Sequence, residues 1–445
     1  MVDQLNSHAQ LRISLQAWLG DELVVPRSNC AYEGCDAEVA RLVGCALGRA
    51  LREMLKEKLP AGSFRFMVPL DEALTELELD FSRAGAPAEI SLAPFGRFPK
   101  GGRERIGAFR TCLTEVVLGA LATSLGVFLK VRKIRGDNAH HIVEATFKSL
   151  ARCLRCAMDA ACGFVPALAA PARPAAPKTA RAARRRRATK ETSIDIHLDL
   201  DDVQTASEIA TGLGTLDALL AELCRGFRLT AQCSGDTWID EHHSAEDVMI
   251  TVGQATAEAL GPKAGCCRMA WAEQRSGAAE VLCVMDLSNR PSFCSDLQLD
   301  EEMAGDLPSE MVHHCFESFV TNALMTVHLV QVKPGGAKDL ALAAAKATGE
   351  ALKQCIAIDP RRAGATASSK GTLSKLLYQL KMASERSERP VLALQASALE
   401  MQSSAGWPGA SMKVRQARME KLTRKFELEK HKQEIVAYEM DNIEQ

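Results

Sequence analysis

The chain has 445 residues, enough for two or three domains of ordinary size, and its 47% hydrophobic and 25% charged residues are those of a globular protein. Lys and Arg (54) nearly cancel Asp and Glu (56), so bulk charge gives no ground for a nucleic-acid or membrane partner, and no apolar run nears the ~18 residues of a membrane span. Fifteen cysteines scattered over a chain without a secretory leader pattern point to a reducing compartment, and the pairs Cys30/Cys35 and Cys153/Cys156 lack the second pair that a zinc finger needs.

In chain order, the first clear elements are an extended segment at 127–134 and an Ala-rich helix from His140, whose Val143, Phe147, Leu150, Leu154 and Ala157 share one face. From Val165 to Thr189 Ala and Pro crowd together and the apolar periodicity stops, which predicts a linker over 165–188; the run Arg184 to Arg187 inside it reads as solvated. A second extended segment at 235–240 leads into a second Ala-rich helix from His242. After Leu373 polar residues dominate, and Val414, Ala417, Leu422, Phe426 and Ile435 form only a thin stripe, as expected of an exposed or partner-docking helix. The alternation of strand and helix patterns predicts an α/β protein of the two-layer α+β kind, with helices packed on sheet. The expected domains are an N-terminal module at 1–164, the linker at 165–188, a central module at 189–375 and a helical extension at 376–445.

Both Ala-rich helices open with His-His-x-x-Glu, as His140, His141 and Glu144 and again as His242, His243 and Glu246. Residues three and four apart share a helix face, so each glutamate lies over both of its histidines. Adjacent histidines diverge by about 100° and cannot readily serve one ion from the same helix. Imidazole with carboxylate suits a borderline divalent metal such as Mn, Fe, Zn or Co. A lone occurrence is explained as well by exposed histidines at a helix start. Two occurrences on similar helices favour metal binding, with neither helix supplying enough ligands alone.

Longer strings carry a resemblance. KIRGDNAHHIVEATFKSLARCLRCAMD (133–159) and PLDEAL (69–74) resemble the C-terminal half of imidazoleglycerol-phosphate dehydratase. TKETSI (189–194), TGLGTLDALL (211–220), GDTWIDEHHSAEDVMITVGQATAEALG (235–261), MDLSNRP (285–291), TVHL (326–329), DPRR (359–362) and SSKG (368–371) resemble the same family from its start. The resemblance implies domains built of two similar halves, large hollow oligomers, two-manganese sites at subunit interfaces, and removal of water from imidazole glycerol phosphate to give imidazole acetol phosphate.

Carried over residue by residue, it implies that His140, His141, Glu144, His242, His243, Glu246 and His328 are Mn2+ ligands. Glu191, Glu144 and Asp71 become the acid/base candidates, and Arg268, Arg290, Ser368, Lys370 and Lys148 the substrate-binding residues. The chain also departs from the family. Ala218 stands where the family has a histidine ligand, Lys338, Asp339 and Leu342 replace the second motif of the central module, and its turn acid falls near Gly277. In the N-terminal module Lys130 replaces the strand histidine, residues around Glu33, Gly34 and Ala37 replace the first motif, and the family's first strand and helix have no counterpart.

The losses are complementary, so the expected function is this dehydratase at a composite manganese site shared by two modules. The alternative is a catalytically inactive structural or regulatory subunit. The expected partners are a small phosphorylated imidazole substrate and further copies of the chain or other dehydratase subunits, with no nucleic acid and no membrane. The N-terminus shows no targeting segment, which leaves cytoplasm or plastid stroma as the expected compartment.

Overall fold

The computed structural model describes residues 1–15, 18–19, 22–23, 36–55, 60–97, 102–163, 181–362 and 364–369. Helix α1 (Val2–His8) and helix α2 (Asp36–Leu55) precede a hairpin of β1 (Ser63–Leu70) and β2 (Ala73–Asp80). A short strand β3 (Glu89–Ser91), helix α3 (Leu113–Leu125), strand β4 (Phe128–Arg135) and helix α4 (Ala139–Ala161) complete the N-terminal module. The central module runs β5 (Ala182–Ala188), β6 (Thr192–Asp199), β7 (Glu208–Ala210), α5 (Gly214–Leu223), β8 (Arg228–Gly235) and α6 (His242–Leu260). It then repeats the pattern as β9 (Met269–Ser276), β10 (Ala279–Asp286), β11 (Ser292–Ser295), α7 (Ser309–Asn322), β12 (Thr326–Lys333) and α8 (Ala337–Ile356).

Three four-stranded sheets result, ordered β1-β2-β4-β3, β5-β6-β8-β7 and β9-β10-β12-β11. In each, a hairpin is followed by a strand that pairs antiparallel with it, and a short strand lies parallel at the far edge. Only a helical crossover can join that parallel pair, and α3, α5 and α7 supply it. The α/β two-layer expectation holds, with three half-domains of one topology among the described residues.

Sequence explains the helix layer. Val143, Phe147, Leu150, Leu154 and Ala157 of α4 are all buried, as their shared face requires. Asn138 caps α4 by accepting the His140 N–H on its side chain, and Gly126 ends α3 in the left-handed conformation that a side chain resists. Close crossings use glycine: a Cβ on Gly253 of α6 would lie 2.7 Å from the Phe319 carbonyl oxygen of α7, and one on Gly48 of α2 would lie 2.5 Å from that of Leu121 in α3. Helix α2 therefore meets α3 as α6 meets α7.

Three expectations are corrected here. The N-terminal module has a counterpart of the first helix, because α1 packs on α4 as α5 packs on α8. The linker is shorter than expected, since residues 182–188 form edge strand β5. Its arginines are paired: Arg184 and Arg186 with Asp195, Arg185 with Glu258 and Arg187 with Asp247. Residues 165–180 and the C-terminal extension lie outside the described residues. The extended segment expected at 235–240 is also shorter, because β8 ends at Gly235 and a turn precedes α6.

The two modules meet sheet to sheet. Met67 of β1 and Leu74 of β2 are buried against Leu282 and Val284 of β10, flanked by Ile134, Trp271 and Val330. The apolar character of these otherwise outward-facing positions is what brings the sheets together in water. Among the described residues, no helix is long and apolar enough to cross a membrane.

Candidate active site

The predicted residues fall into two clusters. The first lies where the N-terminal module meets the third half-domain. The two-residue turn between β1 and β2 holds Asp71, at φ 50, and Glu72. The Glu72 carboxylate takes the Asn138 N–H at 2.9 Å and faces His141 Nδ1 at 2.8 Å. His140 Nε2 lies 3.1 Å from Glu144, which pairs with Lys148 at 2.9 Å one turn further along α4.

The central module reaches into this cluster. Arg290 approaches Asp71 at 3.4 Å, and the Asp71 main-chain oxygen stands 2.7 Å from His328 Nε2. Gln4 of α1 donates to Glu144 at 3.2 Å and to Ser369 at 3.4 Å, which brings the end of the central module over α4. Arg361 ties the same end down by pairing with both Asp159 of α4 and Asp359.

Electrostatics follow from this crowding. Burial alone would raise the Glu144 carboxyl, but the adjoining Lys148 ammonium, with His140 and Arg290 beyond it, holds it at about 2. Burial lowers the pKa of Lys148, and the nearby Arg268 guanidinium lowers it further, against the pull of Glu144 and Asp286. Arg268 is itself buried, with Nε and Nη2 on the two Asp286 oxygens at 2.7 and 2.9 Å and Nη1 on the Ala367 carbonyl. Two buried cations thus stand close together beside Arg290. Each is paired with a carboxylate, Lys148 with Glu144 and Arg268 with Asp286. Ser368 is part of the tail segment at this cluster, and Lys370 lies outside the described residues.

The second cluster surrounds the start of α6. His242 Nε2 lies 3.8 Å from Glu246, and His314 of α7 brings its Nε2 to 3.1 Å from the other Glu246 oxygen. The His242 and His314 rings are 5.2 Å apart. One ligand atom from each of His242, Glu246 and His314 lies within 4.8 Å of the others, the only such group of three among the described residues. His243 turns the other way, with Nδ1 at 3.2 Å from buried Asp236 and 3.9 Å from Glu191. The Asp236 contact raises the His243 pKa above its ordinary value, with Glu191 adding to it.

His328 does not join either set of donors. It is fully buried, its Nε2 is engaged with Asp71, and burial pushes its pKa down to about 4. His314, which does gather with His242 and Glu246, is one residue into a third His-His-x-x-Glu string, His313 to Glu317, that has no place among the expected site residues. Gln4, Glu72, Asp236 and Asp286 are further site residues recognised only from their contacts.

Repeated sheet-and-helix half-domains thus gather imidazole and carboxylate side chains in two clusters, one of them beside the buried Lys148 and Arg268. The sequence model of imidazoleglycerol-phosphate dehydratase matches residues 1–154 and 211–352. The proteins of that name from Jannaschia sp. strain CCS1 and Acidiphilium cryptum strain JF-5 are 38% and 39% identical over 189 residues, covering 42% of this chain and 96% of each relative. A chloroplastic relative from Triticum aestivum is 35% identical over 191 residues, 42% of this chain and 71% of its own length. The Pyrococcus furiosus crystal structure is similar at 27% identity, covering 42% of this chain and 99% of that one with a TM-score of 0.37. The chain belongs to the imidazoleglycerol-phosphate dehydratase family.

Proposed function

We propose that this chain is a hydro-lyase that converts imidazole glycerol phosphate to imidazole acetol phosphate in histidine biosynthesis, at a site to which both modules contribute. The observation that carries the reading is the junction of Glu144 and Lys148 with Arg268 and Arg290, a charged cluster neither module could build alone. Guanidinium groups grip phosphate oxygens in pairs, and a buried ammonium beside them adds charge without competing for geometry. Ser368 lies in the segment that Gln4, through Ser369, and Arg361 hold against α4, and it would add a hydroxyl donor there.

The donor set fits a divalent metal. His314 Nε2 is buried without a hydrogen-bond partner of suitable direction, although Glu246 is 3.1 Å away. That is the state of an atom shaped to bind an ion. His242, His243, Glu246 and His314 would hold manganese from one side, and His140, His141 and Glu144 from the other. Bound manganese would act as a Lewis acid on the substrate ring.

The chain's own residues would do the rest. Glu191 is exposed beside His243, placed to take or return the proton of the carbon next to the ring. Asp71, between Arg290 and His141, is the second acid/base group. Holding the phosphate fixes the rest of the substrate against both.

The two sets of donors lie in separate clusters of one chain, so a complete site would join the first cluster of one copy to the second cluster of another. This supports a homo-oligomer. The test is turnover of imidazole glycerol phosphate by the purified full chain, with manganese supplied and then removed by chelator. Manganese-dependent turnover is expected. An assembled protein that retains manganese and does not turn over would overturn the assignment.

A further inference from the structure

In both motifs the second histidine meets a carboxylate through the same ring nitrogen. Glu72 holds His141 Nδ1 at 2.8 Å with one oxygen and the Asn138 N–H at 2.9 Å with the other, so the carboxylate has no freedom to swing away. Asp236 holds His243 Nδ1 with its two oxygens at 3.2 and 3.3 Å, and it is buried. An ionised carboxylate only accepts, so the ring nitrogen facing it must carry the proton. In a neutral imidazole the lone pair then sits on Nε2, which in His141 lies 3.6 Å from the Asp71 carboxylate, beyond hydrogen-bond reach, and is the atom left to bind a metal.

The third half-domain is an internal control. Its β9–β10 turn places Gly277 and Ala278 where the N-terminal module has Asp71 and Glu72, and its α8 has Asp339 at the position of His141. A Cβ on Gly277 would collide with the Asp339 carboxylate, so the helix side chain now fills the space of the turn acid. Histidine and turn carboxylate are absent together. A carboxylate kept only to stabilise the turn would have no reason to follow the histidine.

We propose that Glu72 and Asp236 are positioning residues that fix the Nδ1–H tautomers of His141 and His243 and so turn each Nε2 toward the metal. This rests on the manganese reading above, and it concerns residues that sequence comparison left without a role.

The test uses the full chain with 15N-labelled histidine, free of metal, at a pH where the imidazoles are neutral. Long-range proton–nitrogen spectra should show both rings as Nδ1–H tautomers. Glu72→Ala should shift His141 toward the Nε2–H form and leave His243 unchanged, and Asp236→Ala should do the reverse. Manganese affinity by calorimetry should fall about 10–100-fold in each variant. Glu72→Gln, whose amide oxygen still accepts, should recover part of that loss. Unchanged tautomers and unchanged affinity in both Ala variants would overturn the proposal. A wild-type chain that binds no manganese would defeat the metal reading alone, since the tautomer spectra decide the role of Glu72 and Asp236 independently.

Discussion

His328 Nε2 lies 2.7 Å from the main-chain oxygen of Asp71, so a buried imidazole of the central module is bonded to the turn that carries the N-terminal module's acids. A carbonyl oxygen only accepts, so Nε2 carries the proton there, and the ring's Nδ1 is buried with no partner. This residue ties the two modules together at their junction.

A pH dependence follows. Burial lowers the His328 pKa from its ordinary 6.5 to about 4, so the folded chain binds fewer protons than the unfolded chain between those values. Its contribution is present above pH 6.5 and is lost as pH falls toward 4, up to about 3 kcal/mol in all. Thermal melts of the wild type should lose stability faster over this window than those of His328→Leu, which has no proton to take up. Parallel curves would contradict the burial account.

His314→Ala should strip manganese, because it removes one of three donors that a single copy gathers on its own. Metal analysis after dialysis should show bound manganese falling at least tenfold, while His313→Ala, whose ring faces Phe293 and Glu317, retains it. Equal retention by both would contradict the placement of His314.

How these histidines were legible is instructive. The spacing of His140/Glu144 and His242/Glu246 is local, and helix geometry alone places each pair on one face. His314 meets His242 only because α7 crosses α6 at Gly253, a tertiary fact with no local trace. The run Arg184 to Arg187 misled for a related reason. Arg184, Arg185 and Arg186 are solvent-exposed as expected, but the run sits on an edge strand whose partners Glu258 and Asp247 are distant in sequence, so the strand looked like linker.

Lys148 offers a second pH test. It holds Glu144 ionised to about pH 2, so Glu144 produces no acid limb near neutrality in the wild type. Lys148→Met leaves the carboxylate buried without its nearest cation, so its pKa rises from about 2, against the remaining pull of His140 and Arg290. The pH–rate profile should gain an acid limb, and KM should rise at least tenfold from the lost phosphate contact. An unchanged profile would show that Lys148 does not control Glu144.

Arg290→Ala should raise KM more than it lowers kcat, because the phosphate is held alike before and during reaction. Steady-state kinetics separates the two. A fall in kcat alone would assign Arg290 to the chemistry through Asp71, 3.4 Å away.

The central claim is that one site is built from both motifs across copies of the chain, and subunit mixing tests it most directly. His141→Ala and His243→Ala should each be inactive alone, because each lacks a ligand on one side of every site. Dissociated, mixed and reassembled, they should regain a fraction of wild-type turnover, since some interfaces unite an intact His140/His141/Glu144 helix with an intact His242/His243/Glu246 helix. Full activity of His141→Ala by itself, or no recovery on mixing, would contradict a site shared between copies.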